Sequence, residues 1–276
     1  ITSILIYCIT VPAGVIAAIA KWSSEFPVLT IHNGLIGFAI VTVIVVFLWL
    51  FKKSWRKSTA VLIALILSLT WLQRWPAGDW QIANCDVGQG DSMVINLGHG
   101  RAIVIDVGPD PVAENKCLRN LGIKEIPLLV LSHFHADHVG GLSGLLQSRK
   151  VGQVWISNNL EPLLESTHSL SMLSKSTVVT VQKGLVSQIA GIQFEVLWPE
   201  NMTRNFEAMP GEGSQINNSS IAMIVSTADW SIFTAGDLEP PAQHEILGSV
   251  RAVDIYKVCH HGSKYQDEEL MSALSA

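Results

Sequence analysis

The hydrophobic positions along the chain fall into two regimes that meet near residue 78. Before that point apolar residues run on almost unbroken over 1–20, 35–51 and 59–72, with no polar stripe at helical spacing along any of the three. A run approaching about 20 residues is long enough to span a bilayer as a helix, and Trp71 and Trp75 extend the third run into the interface. Residues 1–75 are therefore expected to be transmembrane helices, with residues 76–276 as a separate domain. The segment after the first run is nearly neutral, whereas residues 52–57, KKSWRK, set four cations between the second and third. Basic loops remain cytoplasmic, so the chain from about Trp75 onward is expected outside the cytoplasm.

From Trp80 the pattern becomes short apolar runs punctuated by glycine. QIANCDVGQGDSMVINLG and RAIVIDVG read as strands joined at Gly98-His99-Gly100, and VAENKCLRNLG as a helix closed by Gly122. EIPLLVLSH is a buried strand, GGLSGLLQS starts a helix after Gly140-Gly141, and VGQVWIS, TVVTVQKG, IQFEVLWP, SSIAMIVSTADWSIFTAG and VDIYKVCH supply further strands. Strands interleaved with helices predict a layered α/β domain. Neither a Gly-x-Gly-x-x-Gly opening a helix nor a Walker A segment occurs, so a nucleotide-cradling fold has no support.

Charge sharpens the boundary. Residues 1–78 hold six basic side chains against Glu25 alone, and the remainder holds 12 basic and 22 acidic, so the halves carry about +5 and −10. Cys8, Cys85, Cys117 and Cys259 show no Cys-x-x-Cys spacing, and they are expected to be small buried hydrophobes rather than a disulfide framework or a zinc knuckle. A chain beginning at Ile1 without an initiator Met reads as an excerpt of a longer protein, and its hydrolase-like part as cut short at the carboxyl end.

The candidate chemistry lies in LSHFHADH, residues 131–138, straight after a buried strand. His133 and His135, two apart in extended chain, face the same way and can reach one ion; Asp137 and His138 follow a turn and can reach a second. Imidazole nitrogen and carboxylate oxygen are the ligands of catalytic divalent metals. Asp106 in VIDVG and Asp237 in FTAGD end strands, and His260 and His261 stand together in VCHHG.

This His-x-His-x-Asp-His arrangement resembles the metallo-β-lactamase superfamily of hydrolases, whose fold is an αββα sandwich. The resemblance implies two divalent ions, Mn²⁺ or Zn²⁺. His133 and His135 would hold one, Asp137 and His138 the other, with Asp237 bridging and His260 completing the second. Asp106 would orient a ligand histidine, and His261 would donate to a substrate oxygen. Where the family has a histidine some 20 residues before its bridging acid, this chain has INNSS, residues 216–220. An amide oxygen of Asn217 or Asn218 in that place makes the site harder and shifts preference toward Mn²⁺ or Mg²⁺, although the general affinity order still prefers zinc.

CDVGQGDSMVI, residues 85–95, and KVCHHGSK, residues 257–264, narrow the resemblance to the ComEC competence family, in which a membrane bundle precedes such a domain. It implies that Asp86, Gln89, Asp91, Ser263 and Lys264 line the site. It also implies hydrolysis of DNA phosphodiesters in the strand that is not imported during natural transformation, with the single-stranded product of uptake, the membrane and other competence proteins as partners. A net charge of about −10 predicts weak, transient handling of DNA, with Arg149, Lys150, Lys257 and Lys264 near the motifs. The alternatives are another hydrolase of the superfamily, acting on phosphorylcholine esters or lactones, and a non-catalytic docking module on a DNA channel.

Overall fold

The computed structural model describes residues 13–19, 80–200, 206 and 214–275. The chain divides into two units, residues 1–77 and 78–276. In the first, residues 13–19 form an exposed helix, and the rest of the three expected membrane spans lies outside the described residues. Among the described residues no helix is long and apolar enough to cross a membrane.

The second unit contains two sheets. Strands β1 (Ile82–Asn84), β2 (Met93–Gly98), β3 (Arg101–Ile105), β4 (Glu125–Leu131), β5 (Lys150–Ile156) and β6 (Thr177–Thr180) lie side by side in chain order. The first three pair antiparallel and the remainder parallel. Strands β7 (Val186–Ile189), β8 (Ile192–Trp198), β9 (Ala222–Ser226), β10 (Ser231–Thr234) and β11 (Ile255–Tyr256) form the second sheet, ordered β11-β10-β9-β8-β7.

Alternation along the strands builds three cores from these two sheets. In β3, Ile103 and Ile105 face the second sheet, packing with Phe194, Val196, Met223 and Val225, while Ala102 and Val104 face outward. The outward face is covered by Leu118 of the helix Pro111–Asn120 and by Leu142 and Leu145 of the helix Leu142–Leu146. On the far side of the second sheet, Ile224 and Phe233 pack under Ala242 of the helix Pro240–Glu245 and Leu270 and Leu274 of the helix Glu268–Leu274. Helix, sheet, sheet, helix is the αββα sandwich expected from the motifs.

Three sequence expectations change. SSIAMIVSTADWSIFTAG is the antiparallel pair β9 and β10 rather than one strand. QIANCDVGQGDSMVINLG is two strands around a loop, residues 85–92, whose base is closed by Cys85 N–H donating to Ser92 O at 2.9 Å. Cys85 is also disulfide-bonded to Cys117 of the helix Pro111–Asn120, so these two cysteines are not the free buried hydrophobes that their spacing implied; Cys259 is. The pairing partners lie 32 residues apart and are joined only by the fold, which no local spacing rule reports.

Candidate metal centre

Five connections meet at one edge of the sandwich. Asp106 follows β3, residues 133–138 follow β4, residues 217–220 precede β9, Asp237 follows β10, and residues 257–261 follow β11. Backbone bonds tie them across the two sheets: Ile221 N–H donates to Ser132 O at 3.0 Å, Val107 N–H to His138 O at 2.9 Å, and His260 N–H to Gly236 O at 2.9 Å. Gly141 lets the segment after the histidines lie directly on β3's exit, since a Cβ there would stand 1.9 Å from Val107 O.

Asp106 is the hub. It is fully buried, holds a left-handed φ of 58°, and accepts from Ser132 N–H and Ser132 Oγ at 2.7 Å each and from His138 Nδ1 at 2.9 Å. A carboxylate has only lone pairs to offer, so His138 carries its hydrogen on Nδ1 and presents Nε2. Ser132 gives its hydroxyl hydrogen to Asp106 and is left to accept from His133 Nδ1, 3.1 Å away, with Ser220 Oγ at 3.2 Å from the same nitrogen. His133 therefore presents Nε2 as well.

What these nitrogens face is a group of Asp137, His138, Asp237 and His261, one ligand atom from each lying within 4.8 Å of the others. His138 Nε2 stands 3.0 Å from Asp237 Oδ1, and His261 Nε2 lies 3.3 Å from Asp137 Oδ2 and 3.4 Å from Asp237 Oδ1. His133 Nε2, His138 Nε2 and Asp237 Oδ1 are buried and lack a hydrogen-bond partner. Two presented imidazole nitrogens and a carboxylate oxygen, all desolvated, with His133 Nε2 unpartnered and His138 Nε2 facing Asp237 Oδ1 as an ion pair, are a donor set that fits a divalent cation.

Electrostatics agree with that reading. Burial lowers the proton affinity of His138, but the carboxylates of Asp106 and then Asp237 outweigh it and hold the ring well above the ordinary histidine range. Burial raises Asp237, yet the surrounding imidazoles, His138 first, bring its carboxyl below the usual carboxylate range. His133, desolvated and beside His138, falls well below its usual value. Metal-free, the centre holds a proton on His138 that a cation would replace.

The structure places the remaining sequence candidates unevenly. His135 is half-buried, its ring 4.8 Å from that of His133, and Asn217 Nδ2 donates to Glu239 Oε1 at 3.0 Å. Both histidines of VCHHG reach Asp237, because both hold left-handed φ, 50° and 51°, in one tight turn. The ring that completes the four-residue group is His261, where the motif reading expected His260; His260 Nε2 is 3.6 Å from Asp237 Oδ2 and its Nδ1 is 3.9 Å from Glu239 Oε1. Asp106 is a third left-handed non-glycine residue at this centre, while His99, Ala190 and Ser275 hold that conformation elsewhere.

Of the polar side chains in the DVGQGD loop only Asp91 turns inward. Its N–H donates to Asp137 O at 3.1 Å, its carbonyl accepts from Gly108 N–H at 2.7 Å, and its carboxylate pairs with Lys257 from the β11 exit. Asp86 and Gln89 are exposed on the same loop, outside the ligand group. Ser263 Oγ accepts from Tyr265 N–H at 3.2 Å and shapes the turn, while Lys264 lies over the Tyr265 ring, 4.9 Å from its centroid. Asn218 Oδ1 accepts from Glu239 N–H at 3.2 Å. Ser132, Ser220 and Glu239 were not foreseen: each is a common residue beside a motif position, and only the fold shows that it touches one.

The family model of the metallo-β-lactamase superfamily matches residues 85–199. The chain is similar to ComE operon protein 3 of Bacillus subtilis, 29% identical over 81% of this chain and 31% of that protein. It is similar to the uncharacterized protein YcaI of Escherichia coli, 31% identical over 76% of this chain and 26% of that protein. Recombination protein 2 of Haemophilus influenzae is 27% identical over 70% of this chain and 22% of its own length. The chain thus spans less than a third of these relatives. Among solved structures, a metallo-β-lactamase from Cronobacter sakazakii is 12% identical with a TM-score of 0.46, covering 71% of this chain and 93% of that one. A B3 metallo-β-lactamase with an active-site glutamic acid is 14% identical with a TM-score of 0.47, covering 73% and 88%.

Proposed function

We propose that this chain, a metallo-β-lactamase sandwich similar over most of its length to competence proteins of the ComEC type, is the metal-dependent nuclease portion of a DNA-uptake protein. The observation that carries the reading is the buried cluster of His133 Nε2, which has no partner, and His138 Nε2 and Asp237 Oδ1, which face one another at 3.0 Å, on a chain whose likeness to ComE operon protein 3 covers 81% of it. Two divalent ions at such a site would lower the pKa of water and offset charge on the oxygens of a phosphodiester. His133 and His135 would serve one ion, Asp137, His138 and His261 the other, with Asp237 between them.

The chain's own part is orientation. Asp106 fixes the tautomer of His138 directly and that of His133 through Ser132. Lys257, the cation nearest the β11 exit, is already paired with Asp91, which supports weak DNA handling rather than tight independent binding. Placement of the domain outside the cytoplasm has two independent supports: the basic loop 52–57, and the Cys85–Cys117 disulfide, a bond that persists in oxidising compartments and is rare in the cytosol.

The test is an assay of the detergent-solubilised chain with Mn²⁺ or Zn²⁺ on single-stranded DNA, duplex DNA, bis-nitrophenyl phosphate and nitrocefin, with Asp237→Ala alongside. Metal-dependent cleavage of DNA that Asp237→Ala abolishes is the expected result. Nitrocefin turnover without DNA cleavage would point to another hydrolase of the superfamily. Silence with every metal, together with transformation that survives Asp237→Ala, would leave a docking module.

A further inference from the structure

The DVGQGD loop carries an acid, and the exit of β11 a lysine, that the metal centre does not use as ligands. Asp91 Oδ2 and Lys257 Nζ pair across 166 residues of sequence, with side chains only 10% and 16% exposed. A buried ion pair costs desolvation on both sides, so by itself it is a poor source of stability. Asp91 also stands with Asp106 and His138, one ligand atom of each within 4.8 Å, and the Lys257 ammonium offsets this second carboxylate. The pair further links parts of the site that the two sheets deliver separately.

Each partner sits on a segment whose backbone is already held. On the first-sheet side, Asp91 N–H donates to Asp137 O at 3.1 Å, and a Cβ at Gly90 would stand 2.5 Å from that same oxygen. On the second-sheet side, Lys257 N–H donates to Phe233 O at 3.0 Å and His260 N–H to Gly236 O at 2.9 Å, which hangs residues 257–261 from β10 and its exit. The contacts close a ring. Asp137 is bound to Asp91, Asp91 to Lys257, Lys257 leads along the chain to His261, and His261 Nε2 returns to Asp137 Oδ2 at 3.3 Å. A cation between Asp137 and His261 would replace their mutual contact. The Asp91–Lys257 pair would then still tie the two segments together.

We propose that Asp91 and Lys257 are positioning residues: their pair clasps the DVGQGD loop to the β11 exit and sets the gap between Asp137 and His261 that a divalent cation spans. This gives the DVGQGD motif a task, which is to carry one half of the clasp. It also accounts for a lysine three residues before His260, on the segment that delivers His261. The inference rests on the metal-centre reading above.

The experiment is calorimetric titration of the 276-residue chain in detergent with Mn²⁺. Lys257→Met alone would strand a buried carboxylate, so the informative variant combines it with Asp91→Asn, which removes the clasp and leaves no unpaired charge. Loss of a group that orients a metal ligand lowers affinity about 10–100-fold. The double variant is expected to melt near the wild-type temperature without metal, to weaken one ion by that factor and to spare the other. Lys257→Arg, which keeps the cation and its donors, is expected to bind both ions as wild type does. Added to His261→Ala, the double substitution is expected to cost nothing more, because both act on one ion. Should the double variant fail to fold, Asp91→Ala opens the clasp while Lys257 extends its ammonium to water, and is expected to weaken the same ion. Unchanged uptake of both ions by either folded variant overturns the proposal alone, as does equal weakening of the two ions or a further loss on the His261→Ala background. A wild-type chain that takes up no Mn²⁺ overturns it together with the metal centre.

Discussion

Replacing Asp106 by asparagine is the sharpest test of how the centre is organised, because it changes chemistry while leaving shape intact. Asparagine tolerates the left-handed φ of 58° that Asp106 holds, and its side chain has the same outline. The Ser132 N–H, a donor only, keeps the new amide oxygen beside it. The NH₂ group must then occupy the place of Oδ2, facing Ser132 Oγ and His138 Nδ1. Two donors now confront each other at Nδ1, and His138 relieves the clash by giving up its Nδ1 hydrogen and keeping the one on Nε2, the nitrogen aimed at Asp237. A cation can bind there only by forcing the ring back against the NH₂ group.

The expected cost is about 10–100-fold in metal affinity, or about 1.4–2.7 kcal/mol. The metal-free domain is expected to melt near the wild-type temperature, since every backbone contact survives. Asp106→Ala should behave differently. It removes the two oxygens that accept three hydrogen bonds, strands a buried imidazole and Ser132 N–H, and puts a Cβ residue with no hydrogen-bonding side chain at positive φ, for a loss of about 3–5 kcal/mol in stability. Calorimetry with Mn²⁺ reads affinity, long-range nitrogen–proton spectra read the His138 tautomer, and thermal melts read the fold. Asp106→Asn with wild-type metal affinity and His138 still protonated at Nδ1 would refute the argument.

Further outcomes follow from the same geometry. Reduction of Cys85–Cys117, or Cys117→Ser, is expected to lower stability by about 3–4 kcal/mol on the chain-entropy scale for a 32-residue separation, read as a lower melting temperature in reductant; no shift would mean the bond does not form. Gly90→Ala puts a Cβ 2.4 Å from Pro109 Cδ and 2.5 Å from Asp137 O, so the DVGQGD loop must lift, with a loss of about 1–3 kcal/mol and weaker metal uptake. In EDTA, stability should fall as pH rises above 6.5. His138 is held well above that ordinary value and the buried Glu114 is raised from 4.5 to about 8, so the folded chain keeps protons that the unfolded chain sheds. Metal affinity should run the other way, rising with pH as the His138 proton becomes easier to displace; melts with and without Mn²⁺ at roughly pH 6 and 9 compare the two slopes.

How much of this was legible beforehand depended on whether the signal was local. Continuous apolar runs in RAIVI and EIPLLVL reported buried strands, because a strand covered on both faces needs apolar side chains at successive positions. The histidine motif was legible for the same reason: consecutive positions on one connection necessarily lie near one another. The choice between His260 and His261 was not. Counting from the strand end favours His260, but two successive left-handed residues swing the chain so that both rings reach Asp237 and His261 completes the group.

Long-range partners left even less trace. Cys85 and Cys117 pair across the loop base, Asp91 and Lys257 join the two sheets' exits, and Glu239 meets Asn217 beneath the centre. None of these has a periodicity, since each depends on where two separate connections end. They nonetheless share a logic that the sequence does express: the unusual residues of each connection, whether glycine, acid or amide, cluster within a few positions of a strand end. A buried strand delivers its last residue to a fixed place, and chemistry that must meet chemistry from elsewhere in the chain has to begin there. The absent histidine shows the consequence. Its place is filled by two amides, and amides have no fixed polarity until a neighbour that can only accept, or only donate, assigns it; in this chain one residue, Glu239, does both.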